Sequence, residues 1–194
     1  MNPPTTDRRI RKTRQQLRQS LTELLAQKPL SKITVQELTQ RADVNRGTFY
    51  SHYKDITDMK EQLERELFDE FVAVIDGYTP DTMRQGLRPI LTDVFRFFER
   101  NAAFGLVLIQ SKTDSPFLRW VRQEIARRGQ QEWQALYGFQ KTAQWGYYLD
   151  FVVAGSAALL FSWGKGGMQQ SPEEMAALAE QFILAGPAPL GKRE

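Results

Sequence analysis

Apolar residues recur three and four positions apart along almost the whole chain, and strand-like alternation bounded by turn residues is hard to find. The pattern predicts an all-α protein. The first helix covers residues 7–27: Ile10, Leu17, Leu21, Leu24 and Leu25 share one face, and Arg8, Arg11, Lys12 and Arg18 point away from it. Lys28-Pro29-Leu30-Ser31 ends it, because the residue before a proline avoids the helical region. Thr34-Val35-Gln36-Glu37 reads as a capping box, the threonine hydroxyl accepting from a first-turn N–H and Glu37 reaching back to the cap. Val35, Leu38 and Ala42 form the apolar side of that helix. After a tight turn at Asp43-Val44, Asn45 can cap a second short helix from Arg46 to about Tyr53, with Phe49 and Tyr53 turned inward. Asp55 or Thr57 caps a long helix over 57–75, and Gly77, Thr79 and Pro80 break the chain after it.

Five more helices are predicted beyond that break. They cover 81–100, 104–110, a stretch opened by Ser115-Pro116, 142–163, and a last one opened by the capping box Ser171-Pro172-Glu173-Glu174 and closed by Gly186-Pro187. No Ser/Gly-rich linker and no fixed-period repeat exists, so the head (1–56) and the body (57–194) are expected to join at the long helix. The longest apolar stretch, 149–163, contains Asp150 and Ser156 and falls short of the ~20 residues a membrane span needs. A buried core helix is the better reading, and a cytoplasmic protein with no membrane partner is expected.

Charge sharpens the picture. The 194 residues carry a net charge of +3, but up to Lys54 there are eleven Lys and Arg against four Asp and Glu, which leaves the remainder net acidic. A basic head points to a polyanion. Two short helices joined by a tight turn, behind a basic helix, form the helix-turn-helix layout. If Phe49 is held inward, Arg46, Gly47, Thr48 and Tyr50 lie near the outer face. Arg46 suits paired hydrogen bonds to guanine, Gly47 lets backbone come close, Thr48 suits a thymine methyl or a phosphate, and Tyr50 suits a phosphate oxygen. The first N–H groups of this helix also favour phosphate.

Ile33-Thr34-Val35-Gln36-Glu37-Leu38 followed by Ala42-Asp43-Val44-Asn45-Arg46-Gly47-Thr48-Phe49-Tyr50-Ser51-His52-Tyr53 resembles the DNA-binding domain of the TetR/AcrR family, over residues 8–68. The resemblance implies base or sugar-phosphate contacts for Gln36, Arg46, Gly47 and Thr48, and phosphate contacts for Thr34, Tyr50 and His52. Asn45 joins this DNA-facing set. It further implies homodimers of all-helical subunits, each with an N-terminal three-helix DNA-binding domain and a C-terminal helical domain for ligand binding and dimerisation. Most members repress transcription from a palindromic operator until a small-molecule effector binds. The C-terminal portion also resembles a subgroup near the dihydroxyacetone-kinase regulators, which implies an alternative: an activator, or a regulator controlled by a protein partner. Two positions depart from the family pattern. Asp43 stands where glycine is usual in the turn, and Asp tolerates a left-handed backbone better than most residues. Ile56 stands where a lysine often begins the next helix and holds a phosphate, a contact that Lys54 or the basic N-terminal arm could replace.

Outside the motif the chemistry is plainer. Cysteine is absent and His52 is the only histidine, so no metal, no cofactor and no catalytic constellation is expected, and the protein is not read as an enzyme. His52 either holds phosphate or packs at a helix end. Arg8, Arg9, Arg11, Lys12 and Arg14 form either a solvated arm or a set of phosphate contacts. Arg119, Arg122, Arg127 and Arg128 are expected on a solvated face, and Glu61 and Glu64 on the surface. The body is rich in aromatic residues, Trp133 and Trp145 among them. Some must be core, while Gln110, Tyr147, Tyr148 and Trp163 are candidates for an effector pocket. Gly164-Lys165-Gly166-Gly167 lacks the pattern of a phosphate loop and reads as a turn. Ala154, Gly155, Ser156, Ala157 and Ala158 let two helices approach closely, and with the resemblance they imply a dimer through 144–163 and 172–184.

Overall fold

A computed structural model of the chain describes residues 5–83, 86–110, 115–137 and 143–185. All regular structure among them is helical. The chain forms two compact units, Met1–Glu66 and Leu67–Glu194, which part inside one long helix.

The first unit starts with α1 (Thr5–Gln27), followed by a single 3-10 turn at Leu30–Lys32. Then come α2 (Val35–Ala42), α3 (Arg46–Tyr50) and the opening turns of α4 (Ile56–Asp76). Leu17, Leu21 and Leu24 of α1 are buried, as are Leu38 and Ala42 of α2, Phe49 of α3, Tyr53, and Ile56, Met59 and Leu63 of α4. These fall at the three- and four-residue spacings that put one side of each helix out of water. Two ion pairs bind α2 to α1 and its exit: Arg41 with Glu23 at 2.8 Å, and Lys28 with Glu37 at 2.5 Å. The second of these alters the expected capping box. Thr34 Oγ1 does accept the Glu37 N–H at 3.2 Å, but the Glu37 carboxylate lies on Lys28 instead of returning to the cap. Glu64 corrects the surface expectation: it is 0 % exposed and pairs with Lys60 at 2.8 Å.

The second unit contains the rest of α4, a short α5 (Pro80–Met83), α6 (Arg88–Arg100), α7 (Ala102–Gln110), α8 (Pro116–Tyr137), α9 (Ala143–Lys165) and α10 (Pro172–Ala185). The single helix expected over 81–100 is in fact broken. Gly86 takes φ +118°, which only glycine adopts without strain, and Pro89 sits in the first turn of α6. Leu87 cannot cap that helix. Glu180 of α10 does so from outside, accepting the Arg88 N–H at 2.9 Å and pairing with the Arg88 guanidinium. Arg96 and Glu173 form a second α6–α10 tie at 2.5 Å. Between the two helices lies a core of Phe95, Phe98, Trp163, Met175, Ala176 and Ala179. The Ser171 box is complete: Ser171 N–H donates to Glu174 at 2.8 Å and Glu174 N–H to Ser171 Oγ at 3.2 Å. Gly164 and Lys165 still belong to α9, and the turn is confined to Gly166 and Gly167. Gly164 packs closely on α7: a Cβ there would lie 2.7 Å from Leu106 Cδ2, so that side chain would have to move. The expected stop at Gly186-Pro187 and the start at Thr142 lie outside the described residues.

Candidate nucleic-acid interface

The turn between α2 and α3 is made by Asp43, whose φ of 53° and ψ of 46° are left-handed. Its N–H donates to Gln40 O at 3.3 Å and the Val44 N–H donates to Thr39 O at 3.0 Å, which closes the end of α2. Asn45 then caps α3, its Oδ1 accepting the Gly47 N–H at 2.7 Å. A Cβ on Gly47 would come within 3.2 Å of that same oxygen, so the cap and the glycine belong together.

α3 spans five residues, shorter than the stretch to Tyr53 that the spacing suggests, because the chain turns at Ser51 and His52. Phe49 is buried under it, with the Tyr50 ring edge-on at 5.3 Å and the Tyr53 ring at 5.6 Å. With that anchor in place, Arg46, Gly47 and Tyr50 are exposed and Thr48 is half-buried on the outer side; Tyr50 is 57 % exposed. Thr34 and Gln36 are exposed at the start of α2. Gln36, Gln40, Asp43, Asn45 and Arg46 line one open polar groove. Gln40 was not singled out from the sequence; its place three before Asp43 on a four-residue helical repeat from Gln36 could have found it.

His52 is half-buried, its ring 6.1 Å from that of Tyr53. Lys54 has an exposed side chain, while its N–H donates to Asp58 at 2.8 Å. That hydrogen bond, together with one from Gln62, holds the Asp58 carboxyl below its ordinary range. Ile56 is core, so its side chain offers nothing to a phosphate. Arg8, Arg9, Arg11 and Lys12 are exposed along α1. Arg14 differs from them: its guanidinium donates to Tyr53 Oη at 3.4 Å and pairs with Glu66, tying α1 to the foot of α3 and to α4.

The second unit contains a partly open cavity of about 230 Å³. Of the pocket candidates whose side chains are described, Tyr148 alone lines it. Tyr147, 74 % exposed, faces out from α9, and Trp163 is core, its Nε1–H donating to Gln170 O at 3.0 Å. The side chains of Gln110, Trp133, Gln144 and Trp145 lie outside the described residues. Arg128 overturns the solvated-face expectation. It borders the cavity with its side chain mostly buried, paired with Asp76 and, at 2.7 Å, with Glu124. Arg119, Arg122 and Arg127 are exposed.

A short helix capped at its start, anchored from beneath and polar on its outer side, in a basic head joined to a helical body, defines a helix-turn-helix DNA-binding regulator. Residues 19–63 match the model of the bacterial regulatory proteins of the tetR family, and residues 85–185 match that of a transcriptional regulator C-terminal region. The chain belongs to the TetR family of transcriptional regulators. The uncharacterized HTH-type transcriptional regulator YxbF of Bacillus subtilis (strain 168) is 34 % identical over 87 residues, a match spanning 41 % of this chain and 23 % of that protein's length. A TetR transcriptional regulator from Streptococcus agalactiae 2603V has a similar fold, with TM-score 0.62, 24 % identity, and coverage of 92 % of this chain and 97 % of that one. So has the regulator FadR from Bacillus subtilis in complex with stearoyl-CoA, with TM-score 0.63, 13 % identity, and coverage of 89 % and 98 %. Among the described residues, no helix is long and apolar enough to cross a membrane.

Proposed function

We propose that this DNA-binding regulator acts as a homodimeric repressor that a small-molecule effector releases from a palindromic operator. The observation that carries the DNA reading is the outward set on α3, Arg46, Gly47, Thr48 and Tyr50, held by Phe49 beneath and Asn45 in front. Gln36 and Arg46 supply base contacts; Thr34, Tyr50, His52 and Lys54 supply phosphate contacts, with Asn45 beside them. Two such helices in a dimer would meet successive major grooves about 34–36 Å apart. The dimer reading is supported by an exposed face of α9, where Tyr147 and Phe151 stand beside the small residues Ala154, Gly155 and Ala158. Phe151 is 66 % exposed, and Leu184 of α10 is exposed as well. The effector reading is supported by the cavity, whose walls include Leu67, Phe71 and Ile75 of α4, the helix that continues into the reading head.

A gel-shift and sedimentation experiment tests this. The full chain is expected to bind DNA from its own upstream region as a dimer, with affinity falling steeply as salt rises. Phe151→Glu should dissociate the dimer and abolish tight binding. A monomer in solution, or affinity indifferent to salt, would refute the proposal. A reporter driven by the bound promoter reads repression directly, as expression that rises when the protein is removed.

A further inference from the structure

We infer that the cavity of the second unit takes an uncharged, apolar small molecule and rejects the carboxylate built on the same skeleton. Its use as a switch rests on the effector reading above, but binding itself does not. The cavity measures about 230 Å³ and is walled by aliphatic and aromatic side chains such as Phe71, Leu91, Phe98, Val121, Val152 and Leu160. At the packing density of protein interiors, that volume suits a guest of about a dozen non-hydrogen atoms.

The polar groups on the wall determine the class of guest. Among the described residues they are Asn101, Arg128, Tyr148 and Ser156. The Asn101 amide donates to Glu70 and to Phe97 O, each at 3.2 Å. Arg128 is the one cation among the described lining residues, and its charge is already matched. It pairs with Asp76 through one nitrogen, with Glu124 through a second at 2.7 Å, and donates to Ile75 O through the third at 3.3 Å. Glu124 stays ionised throughout the ordinary pH range, since hydrogen bonds from Arg127 and Arg128 outweigh its burial and hold its carboxyl at about 2. Asp76 and Glu124 therefore balance Arg127 and Arg128. A carboxylate carried into the apolar interior would have to expel one of these acids or sit there without a counter-ion, and both are strongly unfavourable. A hydroxyl or an ether loses far less on entering.

The test compares 1-decanol with decanoate by calorimetric titration of the full-length protein at pH 8. The alcohol is expected to bind at least about tenfold tighter than the acid. Ala157→Leu, which fills the chamber, should weaken the alcohol by a similar factor. Asp76→Asn with Glu124→Gln leaves Arg128 uncompensated and should narrow or reverse the preference, even if the filled variant fails to fold. Decanoate binding as tightly as decanol to the unaltered protein, or neither binding, would overturn the inference. Operator affinity is read separately with decanol bound. If the alcohol binds and the DNA affinity stays the same, the inference stands and the effector reading falls.

Discussion

The reading head depends on one hydrogen bond, which one substitution at Asn45 removes and another keeps while changing its charge. Asn45 Oδ1 accepts the Gly47 N–H at 2.7 Å, and α3 behind it has only five residues, too few to hold itself by its own ladder. Asn45→Ala deletes the acceptor. Loss of such a cap costs about 0.5–2 kcal/mol. For a chain of this size that is roughly 2–4 °C of melting temperature per kcal/mol. Asn45→Asp keeps an acceptor at the same place, and a carboxylate suits a helix start, so stability should stay within about 0.5 kcal/mol of the parent. Its DNA affinity should nevertheless fall. At about 4 Å, a carboxylate facing a phosphate is opposed by ~1 kcal/mol in bulk water and ~4 kcal/mol at the effective dielectric of a protein surface. That is a loss between about fivefold and several hundredfold at low salt, shrinking as salt rises. Thermal melting and salt-series titration with upstream DNA measure the two effects. Equal stability of all three proteins would refute the cap, and parental affinity in Asn45→Asp would refute the DNA-facing placement.

Arg46→Ala is expected to lose about 1–3 kcal/mol of operator binding and to relax the preference at one base position, measured by competition with single-base operator variants. Glu124 gives a pH prediction. Its folded carboxyl titrates at about 2, against an ordinary 4.5, so its stabilising effect is present above 4.5 and is lost as pH falls toward 2. Glu124→Gln should flatten the acid-unfolding curve of the body over that window. Gly164→Ala sets about 1 kcal/mol of helix propensity against a clash with Leu106 of about 1–3 kcal/mol, so it should be neutral to destabilising, and it should turn stabilising in a Leu106→Ala background, as a double-mutant cycle in denaturant will show.

Much of the head was legible because its signals are local. Thr34 and Asn45, like Ser171 in the body, announce helix starts through their own side-chain oxygens, and Asp43 marks a left-handed turn within four residues of sequence. The inward pair Phe49 and Tyr53 follows from spacing alone. What the sequence concealed depends on partners far along the chain. Glu37 completes a capping box on paper, yet Lys28 offers a full charge and takes its carboxylate. Glu64 and Arg128 look like solvent residues until Lys60 and the Asp76–Glu124 pair bring them inside. Tyr147 and Tyr148 are neighbours, so they point ~100° apart on a helix. Only packing decides that Tyr148 faces the cavity and Tyr147 the outside. Trp163 sits where only packing could place it: the interior between α6 and α10 has room for its indole, and Gln170 supplies a carbonyl for its N–H. Gly86-Leu87-Arg88-Pro89 did carry the break in the helix predicted over 81–100; the strong apolar run after it masked the signal.

Asp43 does more than form the turn. Its carboxylate lies exposed at the lip of the groove with Gln36, Asn45 and Arg46. On the proposed interface, a negative charge there opposes every duplex by a similar amount, correct sequence or not, whereas Arg46 rewards only the right base. Idle sliding on bulk DNA is thereby weakened while the base-specific increment survives. Replacing Asp43 by the glycine usual in this family would relieve the backbone and tighten the grip, and the protein would become a stickier reader with no better judgement.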